Sequence, residues 1–247
     1  MKAGTGIRSR SAVAGRELRF TGLRSAGDSR SDKRRTQLLS SWAEPVMTHI
    51  LGSRVSELIP TVPSHEHSVQ FFDSHETAAT AVAEFVRTGL GQNQRVILIA
   101  RLADWNRAAV DLSRDVALSD VIESGQLTFC DSIRTLDEIS VDGWPSPERF
   151  DRVIGTMIAA AHADGGVLRA YGDMVDVLAA DGRCDAAARL EELWNDLRAR
   201  TPFTLFCGYS SGHFCGAHSG EALRQIRQLH SHQRCAPGDL VAANLLE

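Results

Sequence analysis

From His65 onward, apolar and polar positions along the chain switch between a period of two and a helical period. His67-Ser68-Val69-Gln70-Phe71-Phe72 alternates and predicts a short strand with His67, Val69 and Phe71 on one face. Ser74 is placed to cap a helix over about 75–88, closed by Gly89 and Gly91. Arg95 to Ala100 is a continuous apolar run of the kind found in strands buried on both faces. A helix is expected from about Asp104, with Trp105, Ala108, Ala109 and Leu112 at helical spacing. A second amphipathic stretch ends at Gly125, before a strand over Gln126–Cys130. Ser146-Pro147-Glu148 is a strong helix start: a capping hydroxyl, proline at the first helical position and an early acid against the dipole. Phe150, Ile154, Met157, Ile158 and Ala161 give that helix its buried stripe. Strands are predicted again over Gly166–Tyr171 and Phe203–Gly208, and helices over 184–199 and 219–232. Strands alternating with helices, without hairpin signals, predict βαβ units: an α/β fold in three layers, with a mainly parallel sheet covered by helices on both faces.

The first 46 residues do not share this pattern. They carry ten Lys/Arg against four Asp/Glu and are rich in Gly and Ser, which predicts a disordered basic leader. A basic arm for nucleic acid is the other reading of that composition, and a translation start at Met47 would remove the segment altogether. Residues 47–64, with breakers at Pro60 and Pro63, read as a linker, 65–235 as the folded domain and 236–247 as a C-terminal tail. The whole chain has a net charge of -4, which gives no general pull toward nucleic acid or acidic membranes. No apolar run reaches the ~18 residues of a membrane span, and five widely spaced cysteines suit a reducing compartment better than a disulfide framework. A cytoplasmic protein is expected.

Composition also removes chemistry. The only lysines, Lys2 and Lys33, lie in the leader, so the folded region has none for a Schiff base or a phosphate-gripping G-x-x-x-x-G-K-[ST] loop. G-x-G-x-x-G does not occur, and Gly208-Tyr209-Ser210-Ser211-Gly212, which has the G-x-S-x-G spacing after a strand, reads more simply as a loop than as a nucleophile elbow. Cys207, His213, Cys215, His218, His230, His232 and Cys235 collect in the last third, but without the paired-knuckle spacing of a zinc site, and no metal is expected. Ligands of open α/β sheets lie at the carboxyl ends of strands. That rule points to Arg101, to Arg169-Ala170-Tyr171-Gly172-Asp173 and to Tyr209. Arg169 reads either as a ligand anchor or as a structural ion-pair member with Asp173 or a helix-borne acid. Trp144, held extended by Pro145, either caps a pocket or buries itself. His67, next to two apolar neighbours, reads as a hydrogen-bonded core residue or as a site residue.

Five segments in order carry a resemblance. They are His67-x-Val69-Gln70-Phe71-Phe72, Val141-Asp142-Gly143-Trp144-Pro145, Arg169-x-Tyr171-Gly172-Asp173-Met174, Arg189-Leu190-Glu191-Glu192-Leu193-Trp194-Asn195 and Phe203-x-Leu205-x-Cys207-x-Tyr209. Over about residues 65–232 the chain resembles the MEDS domain, the sensory domain named for methanogens, methylotrophs and the regulator DcmR. The resemblance implies a RecA/KaiC-like core without nucleotide machinery, used to sense small molecules such as hydrocarbon derivatives, often beside a histidine kinase. It places His67 in the sensory site, with Gln70 and Phe72 from the same motif.

The expectation is therefore a non-enzymatic sensor without a cofactor, acting on a separate signalling partner. Its ligand contacts would be His67, Gln70, Phe72 and Arg101, with Trp144, Arg169, Tyr171, Asp173 and Tyr209 completing one shared cavity. The rival reading is a RecA-like nucleotide-binding or hydrolysing enzyme with a non-standard phosphate site.

Overall fold

The computed structural model describes residues 66–214 and 220–247. The expectations for the leader and the linker, and for Cys215 and His218, lie outside these residues.

Six strands form one sheet in which every neighbouring pair is parallel. They are β1 (His67–Phe72), β2 (Arg95–Ala100), β3 (Leu127–Asp131), β6 (Leu168–Gly172), β7 (Thr204–Ser210) and β8 (His232–Cys235), in the order β3-β2-β6-β7-β1-β8. Three helices lie between the early strands: α1 (His75–Gly91), α2 (Leu102–Leu112) and α3 (Leu118–Glu123). The rest follow β3: α4 (Ser132–Ile139), α5 (Pro147–Phe150), α6 (Thr156–His162), α7 (Met174–Ala180), α8 (Cys184–Arg200), α9 (Gly220–Gln228) and α10 (Leu240–Leu246).

The strand period of two sorts the apolar residues into two cores. Val69, Phe71, Ile97, Ile99, Ala170, Leu205 and Cys207 face α4 to α10, with Trp194 and Phe150 packed edge-on among them. Phe72, Val96, Leu98, Ala100, Tyr171 and Phe206 face the opposite layer, against Ala83, Phe85 and Val86 of α1 and Leu112 of α2. The expected three-layer α/β fold with a parallel sheet is the observed one.

Local chemistry explains most element boundaries. The Ser74 side chain accepts from the Thr77 amide at the start of α1, and Ser146 does the same for Arg149 ahead of Pro147. Helix α1 passes through Gly89 and ends at Gly91, later than the glycines suggested, because Gly89 serves packing. A Cβ there would come within 2.7 Å of both Arg169 Cδ and Val96 Cγ2, so the glycine lets the helix lie close on the sheet. The left-handed residue that ends the segment is Asn93, at φ 56°.

Three features depart from the expected pattern. A hairpin is present after all: β4 (Ser140–Val141) pairs antiparallel with β5 (Trp144–Pro145). Asp142 and Gly143 turn it, both at positive φ, the pairing that a two-residue primed turn requires. The helix that begins at Pro147 is interrupted by a π-helical turn over Asp151–Gly155, although Phe150, Ile154 and Ile158 keep the buried stripe intact. Residues 236–247, expected as a tail, contain α10, whose Ala242 is fully buried. No described helix is long and apolar enough to cross a membrane.

Candidate functional site

A cavity of about 230 Å³ opens at the carboxyl ends of β1, β2, β6 and β7. Phe72, Tyr171 and Tyr209 give it aromatic walls, and Gly208 and Ala78 leave it room. The Tyr171 ring sits directly over Gly208, where a Cβ would overlap the phenol oxygen. Glycine at that position is what seats Tyr171.

The polar lining is dense. Asp73, Asp104, Asp173 and Asp176 converge on the cavity, together with Arg101 and His75. Arg101, which follows β2, holds two of these acids. Its Nη2 lies 2.8 Å from Asp176 Oδ2, its Nη1 3.6 Å from Asp173 Oδ2, and its backbone amide donates to Asp173 Oδ2 at 3.1 Å. Asp173 is itself positioned by its own amide, which donates to the Ile99 carbonyl at the end of β2. Its second oxygen, Oδ1, is buried and has no hydrogen bond of good geometry among the described residues, although the Ser132 hydroxyl lies close enough to pull the carboxyl down. Burial pushes this carboxyl up to about 6, against the opposing pull of Arg101. Asp176 behaves differently. Burial acts to raise it, but His213 and Arg101 outweigh that, and the Ser210 amide adds a bond at 2.8 Å, so it stays below the ordinary range. The bond to Asp176, 2.7 Å long, raises the His213 imidazole in turn. Asp104 lies 3.1 Å from both His75 Nδ1 and Arg107 Nη1. Asp73 accepts from Ser211 Oγ and from the Val241 and Ala242 amides, capping the first turn of α10.

The predicted site residues divide into four groups. Phe72, Arg101, Tyr171, Asp173 and Tyr209 line this cavity. Gln70 points to the opposite side of β1 from His67 and lines a separate groove of about 270 Å³ beside α1, with Thr77, Arg87 and Pro237. Trp144, half exposed in its hairpin, lines neither space.

Arg169 and His67 form the last group, because both are buried near the amino ends of their strands and on opposite faces of the sheet. The single cavity expected to hold both is therefore not formed. Arg169 makes no ion pair with Asp173, which lies at the far end of β6 and belongs to Arg101. Its Nε donates to Gln94 Oε1 at 2.6 Å, its Nη1 donates to the Phe85 carbonyl at 3.0 Å, and its guanidinium lies 4.8 Å from the centre of the Phe85 ring. Burial without a carboxylate partner lowers it to about 10. It ties α1 to the sheet.

His67 lies in a second, fully enclosed polar cluster. Its Nδ1 is 2.9 Å from Asn195 Oδ1, and its Nε2 is 3.2 Å from Glu191 Oε2 and 3.3 Å from Cys207 Sγ. Cys207 Sγ donates to Glu191 Oε2 at 3.4 Å, Tyr209 Oη donates to Glu191 Oε1 at 2.9 Å, and His230 Nε2 stands 3.3 Å from that same oxygen. Burial lowers the His67 imidazole, with Glu191 opposing. Tyr209 thus belongs to both places: it lines the open cavity and reaches the buried carboxylate. Glu191 carries no strand-end signal and sequence reasoning missed it as a site residue, while His230 was weighed only as a metal ligand and set aside on spacing.

The ordered motifs fall on this framework. His67 opens β1, Arg169 to Asp173 spans β6 and its exit, Glu191 and Asn195 share one face of α8, and Cys207 and Tyr209 share one face of β7. A model of the MEthanogen/methylotroph, DcmR Sensory domain matches residues 66–231. The chain belongs to the MEDS family. A comparison with curated proteins found no match. In this MEDS domain the match covers all of the sheet except β8 and ends just before that strand begins. The family is a family of sensory domains, and the chain presents two polar centres, the cavity at the strand ends and the cluster around Glu191. Only the first is open to solvent.

Proposed function

We propose that this MEDS domain is a non-enzymatic sensor that holds a small organic molecule, of the class of hydrocarbon derivatives, in the strand-end cavity. The observation that carries the reading is the cavity itself, at the carboxyl ends of four parallel strands, where α/β sheets place their ligands. Its size and charge narrow the occupant. About 230 Å³ falls below the ~300–1,000 Å³ of drug-sized sites, too little for a nucleotide. Four aspartates against one arginine repel phosphate, and no lysine occurs among the described residues to offset them. A neutral or cationic molecule with an apolar part suits aromatic walls and carboxylates.

The ion pairs suggest how occupancy is read. Arg101 follows β2, Asp173 is the N-cap residue of α7 and Asp176 lies in its first turn, and His213 follows β7, so one network joins the exits of three strands. A ligand that bonds to Asp173 or Arg101 in one arrangement of these segments and not in another shifts the population between them. A separate signalling protein, such as a histidine kinase, would read the difference.

A thermal-shift screen of short-chain alcohols, amines and other small organic compounds, with MgATP as a separate arm, tests the reading. A true ligand at 100 times its dissociation constant adds about 2.7 kcal/mol. For a domain of this size that is about 5–11 °C. MgATP at millimolar concentration should leave the melting temperature unchanged. A shift of several degrees with MgATP, together with turnover, would instead establish the nucleotide-enzyme reading.

A further inference from the structure

With both imidazoles neutral, the enclosed cluster around Glu191 lacks the hydrogens for a full set of hydrogen bonds and has the donor atoms of a metal site. His230 Nδ1 lies 2.7 Å from the Ile226 carbonyl, which can only accept, so Nδ1 carries the proton. In the neutral ring, Nε2 is then a bare lone pair. It is buried, has no hydrogen-bond partner among the described residues, and faces Glu191 Oε1 at 3.3 Å. His67 repeats the arrangement. Asn195 Nδ2 donates to the Leu229 carbonyl at 2.9 Å, which fixes the amide so that Oδ1 faces His67 Nδ1. Nδ1 of His67 therefore donates as well, and its Nε2 lone pair points at Glu191 Oε2 and Cys207 Sγ.

Two imidazole lone pairs, a thiol and a carboxylate thus converge where the only protons available are those of Cys207 and the Tyr209 hydroxyl, both directed at Glu191 and neither at an imidazole. Ligating histidines characteristically donate their other ring N–H to a carbonyl or similar acceptor, which locks the tautomer that binds metal. Both rings here are locked in that way.

We infer that His67, Glu191, Cys207 and His230 form a closed binding site for one zinc(II) ion. The four ligand atoms lie within 4.8 Å of one another. Bonds of about 2.0–2.3 Å imply tetrahedral edges of about 3.3–3.8 Å. The separations from His67 Nε2 to Glu191 and Cys207, and from Cys207 to Glu191, are already 3.2, 3.3 and 3.4 Å. His230 Nε2 stands 3.3 Å from Glu191 Oε1, and the remaining separations stay within 4.8 Å. Nitrogen and sulfur donors select a borderline transition metal and disfavour calcium and magnesium. Binding deprotonates Cys207, releases one proton, and leaves a thiolate and a carboxylate to balance the dication, so the filled site is neutral in the core. Four protein ligands and no open position make it a structural centre. Tyr209, bonded to Glu191 Oε1, connects it to the cavity wall.

The full chain, purified from zinc-supplied cells, should hold about one zinc per chain by elemental analysis. After chelation, cobalt(II) should bind at one equivalent, with the intense visible bands of a tetrahedral ion and a thiolate charge-transfer band. Cys207→Ser should abolish the charge-transfer band and His230→Gln the stoichiometric binding. Asn195→Ala touches no metal but frees the His67 ring, and should weaken affinity about 10–100-fold. Wild-type chain that retains no metal and gives no cobalt spectrum would overturn the inference without any variant. So would a cobalt spectrum unchanged in both ligand variants.

Discussion

Glu191→Ala should be the most damaging single substitution in the domain, lowering stability by about 3–5 kcal/mol in urea unfolding at pH 7.5. Glu191 is fully buried on α8 and lies between His67, His230, Cys207 and the Tyr209 hydroxyl. Alanine leaves a void, strips the Cys207 and Tyr209 donors of their acceptor, each at a desolvation cost, and removes the carboxylate that the two imidazoles face. The adjacent Glu192 is the control. It pairs with Arg189 at 2.8 Å, but both side chains are about two-fifths exposed. Exposed pairs of that kind are worth about 0.2–1 kcal/mol, so Glu192→Ala should shift the midpoint little. Equal effects of the two variants would contradict the account of the core.

Arg101→Met should cost about 3 kcal/mol at pH 7.5, near the lower end for a broken buried pair because the Arg101 side chain is 22% exposed. The cost should shrink on acidification, and the sign follows from the acids involved. Asp173 has a folded-state carboxyl at about 6, above its ordinary 3.8, so between those values the folded state binds the extra proton. Its contribution to stability falls as pH rises through that window. Above it, the charged Asp173 depends on Arg101. Asp176 is held low, so the stability it supplies is present above its ordinary range and lost as pH falls through its folded value. His213, raised by Asp176, supplies stability at low pH that is lost as pH rises through its own folded value. Removing Arg101 therefore leaves a charged, buried Asp173 without its cation at pH 7.5, whereas at pH 5 Asp173 is mostly protonated and Asp176 keeps its bonds to His213 and the Ser210 amide. A variant whose deficit is the same at both pH values would show that Arg101 acts through packing alone.

Much of this was legible in the chain because local and global signals agreed. The unbroken apolar run over Arg95–Ala100 could only be a strand covered on both faces, and it lies between β3 and β6. Ser74 and Ser146 announced helix starts through chemistry that needs no tertiary partner. Short elements were harder. Helices α4 and α7, of eight and seven residues, follow their strands directly, and each helix reads as part of a loop until the sheet gives it something to cover. The Asp142-Gly143 turn went unread as a hairpin because only two residues pair on each side of it.

The site was legible in one dimension only. Strand ends singled out Arg101, Tyr171, Asp173 and Tyr209, because position along a parallel strand is a sequence property. The assignment of Arg169 failed because it opens β6 and does not close it, and a five-residue strand puts those two roles at opposite ends of the sheet. The Glu191 cluster draws one residue from each of β1, α8, β7 and the segment before β8. No spacing along the chain encodes such a meeting, and zinc-like knuckles were the wrong signal to seek.

The measurement that bears most directly on the sensory account is a calorimetric titration of the best screening hit into the wild-type chain and into Ala78→Trp. Ala78 lines the strand-end cavity from a partly exposed position on α1, so tryptophan fills the space without entering the core. The account predicts binding of one molecule per wild-type chain, loss of that binding in the variant, and a melting temperature for the unliganded variant close to that of the wild type. Undiminished binding to Ala78→Trp would place the ligand elsewhere and contradict the account.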